Sequence, residues 1–559
     1  MEAAAAALGC LVTYFVVYRL YARFLGREVF RLDPTVSTPA TVLRDDVDYV
    51  PTNRYVLFGH HYASIAGLSP MLGPAIAVIW GWLPGMLWVV FGTLFIGAVH
   101  DFSALVLSMR ARGMSIGKVA EDIIGPRAKT LFHILIFFLV SLAMGVFVFI
   151  CATLFTSEFY PQVVIPTFSL MAIALVIGWA MFRRRAKLGP ATAMGFLLMM
   201  LAIAAGLTLP GPDLSLGNWS YLLLGYAFLA SVLPVWLLLQ PRDYINSLLL
   251  YLGLGMAYLG FFWMRPQFMA PTVQLNPPDA PPIFPFVFIV IACGAISGFH
   301  GLVASGTTSK QISRETDAVF IGYGGMIGES LLGLISVLAC TAGFASTVAW
   351  NDHYRSWDVA QGLANKMKGF IDGAAMFVNQ LGIPLPVAQA FIALIAVSFA
   401  LTTLDSGTRL LRYNISEISE TLRVPALHNR YVASLLAVGA IGFFAFFRVD
   451  GQPAGMALWQ LFGTTNQIMG ALTLLTVTLY LIERKRNFWV TLVPMVFMMV
   501  TTVTAMVIKI GDFWKMREIT LLVIGVIIFF LSLWLVGEAL GRLRSKGPGA
   551  GEKLAEPTS

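Results

Sequence analysis

FGHHYASIAGLSPMLGPAIAVIW, Phe58 to Trp80, has the length and apolar tail of a membrane-crossing helix, yet two adjacent histidines open it and Gly67, Ser69, Pro70, Gly73 and Pro74 interrupt its middle. Backbone polar groups freed by such an interruption must find partners inside the protein, because lipid supplies none. Broken helices therefore survive in a bilayer only where they are buried or line a watery cavity, and the stretch predicts a binding site. The alternative is a proline-kinked helix whose small residues sit at a helix interface.

Of 559 residues, 58% are apolar and 12% charged, where soluble proteins carry about 25% charged residues. This is the composition of an all-α polytopic membrane protein surrounded by a lipid bilayer. The formal charge of +8 sits in short loops between apolar runs, where membrane orientation accounts for it, so no nucleic-acid partner is expected. Cys10, Cys151, Cys293 and Cys340 all fall in apolar spans without paired or metal-finger spacing, which points to neither a disulfide framework nor a redox centre. The opening MEAAAAALGCLVTYFVVYRLYARFLG lacks a basic leader and a clear cleavage site and is expected to stay as the first helix.

Apolar runs recur near 3–24, 60–80, 84–109, 131–157, 163–182, 191–209, 221–239, 245–264, 284–304, 319–348, 386–405, 431–447, 456–481, 489–509 and 518–540, which predicts about 15 transmembrane helices in a single domain over 1–540. Basic residues concentrate in alternate loops: Arg19 to Arg31, Arg110 to Lys129, Arg183 to Lys187, Arg242, Lys310 with Arg314, Arg409 to Arg430, and Arg484 to Arg486. That alternation places the N-terminus outside and the C-terminus in the cytoplasm. The segment 349–386, with Trp350, Trp357, Lys366, Phe370 and Phe377, is expected as an extracytoplasmic amphipathic lid or a passive loop, and 541–559 as a disordered cytoplasmic tail.

A counterpart to the first interruption lies in IACGAISGFHGLVASGTTSKQISRETD, Ile291 to Asp317, where glycines loosen a helix that carries His300. By the helix count the two interrupted runs start on opposite sides, so units over about 58–209 and 284–481 form an inverted five-plus-five repeat, as in many secondary transporters. Half-helix ends hold a carboxylate at an N-terminus and a cation at a C-terminus. Gly67, Ser69 and Gly73 from the first break, with Ser297, Gly298 and His300 from the second, are the candidate substrate-binding residues; close helix packing is the competing explanation for each glycine.

His60, His61, His100, Asp101, His300 and Asp405 lie within or at the ends of spans, and Glu329 near the middle of one. Such groups are costly in hydrocarbon and normally face a cavity or a partner. A proton relay or a structural hydrogen-bond network accounts for them; no pair has the i, i+4 spacing of a helical metal site, and no metal or cofactor is expected. Thr402, Thr403, Asp405 and Ser406 offer clustered oxygens for a coupling sodium ion, or caps at a helix end. In LLLQPRDYIN, Pro241 predicts an inner hairpin with Arg242 and Asp243 beside it. Thr464, Thr465, Asn466 and Gln467 form a polar belt expected to bond between helices.

At these residues the chain resembles the carbon starvation protein A family of bacterial inner-membrane transporters. FGHHYASIAGLSPMLGPAIA, WGWLPGMLWVVFGTLFIGAVHDF, LLLQPRDYIN, ISGFHGLVASGTTSKQI, LTTLDSGTRLLRYNI and LWQLFGTTNQ carry the resemblance, from about residue 58 to 470. It implies uptake of a small nutrient under carbon limitation, with pyruvate and peptides as associated substrates and proton coupling in a pyruvate-importing branch. It also implies the repeat core of the amino acid, polyamine and organocation transporters, here with two helices inserted between the units. The resemblance gives no residue a role. The rival class is a membrane sensor or channel-like protein, and a membrane enzyme is disfavoured because no nucleophile–base set is visible.

Overall fold

Lipid offers no hydrogen-bond partners, so each apolar run closes its own backbone bonds as a helix. The computed structural model, which describes residues 2–209, 211–449 and 452–545, is almost wholly helical; its one small sheet pairs Arg448–Val449 with Gln452–Pro453. Eleven helices are long and apolar enough to cross a bilayer, and the bent pair Arg54–Ile65 with Ser69–Trp80 makes a twelfth crossing if taken as one span. The remaining three of the expected runs are shorter. Leu216–Val232 and Arg430–Phe446 have 17 residues each, and the ninth run divides into Ile283–Val290 and Gly298–Gly306. Length and composition thus qualify eleven of the described helices, or twelve spans with the bent pair, against the fifteen or so expected from the sequence. The last helix, Ile519–Ser545, continues into the tail expected to be disordered from 541; 546–559 lies outside the described residues.

Both interruptions are present. The first half-helix ends at Ile65 and the chain leaves at 46° from Ser69. In the second, non-helical backbone fills 291–297, with Gly294 at a φ of +94 that a side chain would strain. The two breaks lie against each other: a Cβ on Gly73 would stand 2.7 Å from the Val290 carbonyl oxygen, and one on Gly294 3.4 Å from Pro70 Cα. Helix Trp82–Arg110 passes beneath the second break so closely that a Cβ on Gly97 would meet the Ala295 carbonyl oxygen at 2.0 Å.

Helix Leu385–Leu422 has 38 residues, or about 57 Å of rise, nearly twice the hydrocarbon thickness of about 30 Å. It packs along Pro126–Leu154 and reaches Arg54–Ile65, carrying Thr403 to the first break and Arg409 and Arg412 beyond it. Segment 349–386 forms helices Thr347–His353, Trp357–Ala360 and Leu363–Asn379. Trp350, Phe370 and Phe377 are buried, and Leu363–Asn379 packs on Leu239–Met264 and Gly324–Ala342. The segment is thus docked into the protein through its aromatic face.

Gly97→Ala should destabilise the protein sharply, by an overpacking cost of about 1–3 kcal/mol or more, because its methyl would overlap backbone. Gly511→Ala, whose Cβ would enter open space, should leave stability unchanged or raised. Thermal unfolding of the two variants in detergent measures the difference, and equal melting temperatures would contradict this packing of the second break.

Candidate functional site

A cavity reaches the meeting point of the breaks. It has a volume of about 490 Å³ and descends from the face carrying Trp357, Asp358 and Lys366 to Ser69, Gly73, Val290 and Cys293. Beneath it lies a void of about 10 Å³, bounded by Gly67, Ser69, Met144, Phe147, Cys293 and Thr403, which is the smallest space that holds a single water. Phe147, Cys293 and Phe462 line both spaces, so their side chains form the floor of the vestibule and the roof of the void.

Of the candidate substrate-binding residues, Ser69 lines both spaces, Gly67 the void and Gly73 the vestibule. Neither space is lined by Ser297, Gly298 or His300. Gly298 is a packing glycine: its Cβ would stand 2.3 Å from the Asn466 carbonyl oxygen and 2.5 Å from Met469 Cβ. Asn466 also caps the second half-helix, its Oδ1 accepting from the Phe299 N–H at 2.9 Å and its Nδ2 donating to Ser297 Oγ at 2.9 Å. Glu329 accepts from the Gly294 N–H at 3.1 Å. The positive end of Gly298–Gly306 is thereby occupied by protein groups, whereas that of Ser69–Ala77 adjoins both spaces. The first break's N-terminus is thus the one that borders open space.

The ionisable groups expected at depth are all fully buried and separate into distinct sets. His100 Nδ1 lies 2.7 Å from Asp101 Oδ1, and His300 stands between Asp101 Oδ2 at 3.5 Å and Glu329 Oε1 at 3.4 Å. Through Glu329 this chain touches the second break. His61 pairs separately with Thr308 Oγ1 at 2.9 Å, and its Nε2 has no hydrogen-bond partner among the described residues. His60 Nδ1 lies 2.5 Å from Asp243 Oδ2, Asp243 Oδ1 accepts from Arg242 at 2.6 Å, and Arg242 with the Tyr226 hydroxyl also contacts Asp405.

That last network corrects the reading of LLLQPRDYIN. Pro241, Arg242 and Asp243 occupy the first turn of helix Leu239–Met264, where proline's missing N–H costs no intrahelical bond, and both charged residues point into the protein instead of a loop.

The oxygens of 402–406 divide among three neighbours. Thr402 accepts from Asn246 at 3.1 Å, Asp405 belongs to Arg242, and Thr403 and Ser406 face the first break through Ser64 O at 3.2 Å and Ser64 Oγ at 2.8 Å. A helix advances 100° per residue, so adjacent residues cannot all face one ligand. The polar belt also divides: Asn466 and Gln467 bond to the second interrupted run, while Thr464 and Thr465 bond back to Leu461 of their own helix.

Sequence reasoning missed Phe147, Cys293 and Phe462 because apolar side chains in apolar spans carry no local signal. It also missed Tyr226 and Gln311, which joins His60 Nε2 at 3.3 Å to Gln240 at 2.7 Å.

Away from the vestibule, a loop carboxylate joins two arginines of helix Leu385–Leu422. Asp48 takes Arg409 at 2.6 Å and Arg412 at 2.9 Å, and Arg409 also donates to the Ala230 carbonyl at 2.7 Å. Burial raises the Asp48 carboxyl, but Arg412, Arg409 and Lys310 outweigh it and hold the group well below the usual carboxylate range. At the vestibule mouth, burial pushes the Lys366 ammonium down to about 8.

A solved manganese transporter of Eremococcus coleocola overlaps this chain with a TM-score of 0.48 at 14% identity, covering 90% of this chain and 98% of that one. Among curated proteins, the chain is 33% identical over 577 residues to the Pyruvate/proton symporter BtsT of Escherichia coli (strain K12), covering 89% of this chain and 80% of that protein. It is 32% identical over 554 residues to the Peptide transporter CstA of the same organism, covering 88% and 79%. The model of the family described as Carbon starvation protein CstA matches residues 2–355 and 357–505. With helices, breaks and buried polar chains in place over that whole extent, the chain belongs to the carbon starvation protein CstA family.

Proposed function

We propose that the protein is a secondary active transporter that imports a small carboxylate such as pyruvate, or a short peptide, by alternating access coupled to protons. The observation that carries this reading is the contact between two interrupted crossings beside a vestibule, with a buried His–Asp–His–Glu chain joined to one of them. Names of relatives agree with it: one is a pyruvate/proton symporter and another a peptide transporter. The vestibule then faces outward in a bacterial inner membrane, the N-terminus lies outside, and the units over about 58–209 and 284–481 move relative to each other about the breaks. A role in carbon starvation follows from the family's name alone.

Removing or adding a proton in the His100–Asp101–His300–Glu329 chain leaves an unbalanced charge in a site without water access, which is costly. Because Glu329 also holds the Gly294 N–H, proton load and the shape of the second break are tied together. Sodium is the second reading: oxygens of Ser64, Thr403 and Ser406 gather beside the first break. Asp405, the expected anionic ligand, is committed to Arg242, and the oxygen cluster without it is a weaker case for a cation.

In proteoliposomes, an imposed proton gradient should concentrate pyruvate or a dipeptide, and His300→Asn or Glu329→Gln should reduce that accumulation by roughly 5- to 150-fold while substrate exchange persists. Failure of any gradient to concentrate substrate would favour a sensor or channel, and accumulation driven by sodium alone would favour the second reading.

Asp48→Asn would leave Arg409 and Arg412 buried and unpaired, at a cost of about 3–5 kcal/mol to the closed inner face. The population should move away from the vestibule-open state, seen as slower labelling of Cys293 by an impermeant thiol reagent from the vestibule side in a Cys10→Ser background. Lys366 is cationic below pH 8 and neutral above it, so at a fixed gradient the KM for a carboxylate should rise between pH 7 and pH 9, values that straddle that pKa. Lys366→Arg, charged throughout, should remove that rise.

A further inference from the structure

The basic loops that signal orientation do not simply hang into solvent. Residues from three of them, Arg31, Arg110 with Arg112, and Arg484 with Arg486, converge with Glu315 on a cavity of about 560 Å³ at the face opposite the vestibule. Membrane orientation requires basic residues on that side, but it does not require them to surround one concavity. The volume falls within the range of roughly 300–1,000 Å³ of small-molecule sites.

Five guanidiniums face two carboxylates in this cavity, and both carboxylates are already engaged. Glu315 binds Arg110 at 2.7 Å and the Asp33 N–H at 2.8 Å, and Asp33 accepts from the Thr35 hydroxyl at 2.6 Å. Arg110 and Arg486 are braced on the Phe30 carbonyl at 2.8 and 2.5 Å, which fixes the wall between the loops. Arg31 and Arg112 are exposed, and neither takes part in the ion pair between Arg110 and Glu315. Thr38, a buried residue, also lines the cavity.

We propose that this cavity is a binding site for a phosphate group, carried either by an anionic lipid headgroup or by a free phosphate in the cytoplasm. Planar guanidiniums match phosphate oxygens in paired, charge-assisted hydrogen bonds, and a basic cleft at the cytoplasmic ends of helices is where lipid phosphates are met. The ligand bridges the ends of helices Trp82–Arg110 and Ala454–Glu483, the first carrying His100 and Asp101 and the second Asn466. It therefore clamps two helices that touch the second break, independently of which nutrient the protein carries.

The test is thermal unfolding of the purified full-length protein with inorganic phosphate, with short-chain phosphatidylglycerol, with short-chain phosphatidylcholine, and with sodium chloride at matched ionic strength. Either phosphate or phosphatidylglycerol should raise the melting temperature by a few degrees beyond the chloride control; a shift with phosphatidylglycerol alone identifies the lipid, and one with inorganic phosphate the free anion. Arg31→Gln with Arg112→Gln should raise the half-saturating concentration about tenfold while leaving the ligand-free melting temperature unchanged. No shift beyond chloride, or a shift that survives in the arginine double variant, overturns the proposal.

Discussion

Backbone hydrogen bonding inside a bilayer is the constraint on which this structure depends. A helix satisfies its own N–H and C=O groups, and a helix that stops in mid-membrane exposes several of each. Here two helices stop and pack against each other, with Gly73 admitting the Val290 carbonyl and Gly294 admitting Pro70. Side chains complete the work at the second break, where Asn466 and Glu329 take the N–H groups of Phe299 and Gly294.

That division of labour distinguishes the breaks. The second is wired into protein: its positive end is capped, and its one histidine stands between two carboxylates at 3.4 and 3.5 Å. The first has its N-terminal end beside the vestibule and the void, with oxygens of Ser64, Thr403 and Ser406 on its other flank. The first break thus borders open space, whereas the second is enclosed by protein groups. Because the two touch, a shift in either backbone changes the packing of its neighbour.

Closure on the opposite face has a different physical basis. Asp48, from a loop between the first two crossings, binds two arginines from the far end of the longest helix, Leu385–Leu422. A carboxylate shared by two guanidiniums is strong while dry and weakens once water enters. The same helix reaches the first break through Thr403 and the network of His60, Arg242 and Asp243 through Asp405, so one long helix carries groups of all three clusters.

Hydropathy was enough to place the helical runs, and the glycine and proline content of Phe58–Trp80 and Ile291–Asp317 was enough to locate both interruptions, because lipid allows one backbone solution and those residues deny it. Buried polarity likewise singled out His100, Asp101, His300 and Glu329, since such groups in apolar spans need partners. Which partners they take was decided by the tertiary structure: His60 goes to Asp243, 183 residues away, and Asp405 to Arg242 and Tyr226. The same holds for Gly298, a packing residue against Asn466, and for Phe147, Cys293 and Phe462 at the vestibule floor. Local composition sets what a segment must bury or satisfy, whereas the choice of neighbour depends on contacts between residues hundreds of positions apart, and no short stretch of sequence contains that information.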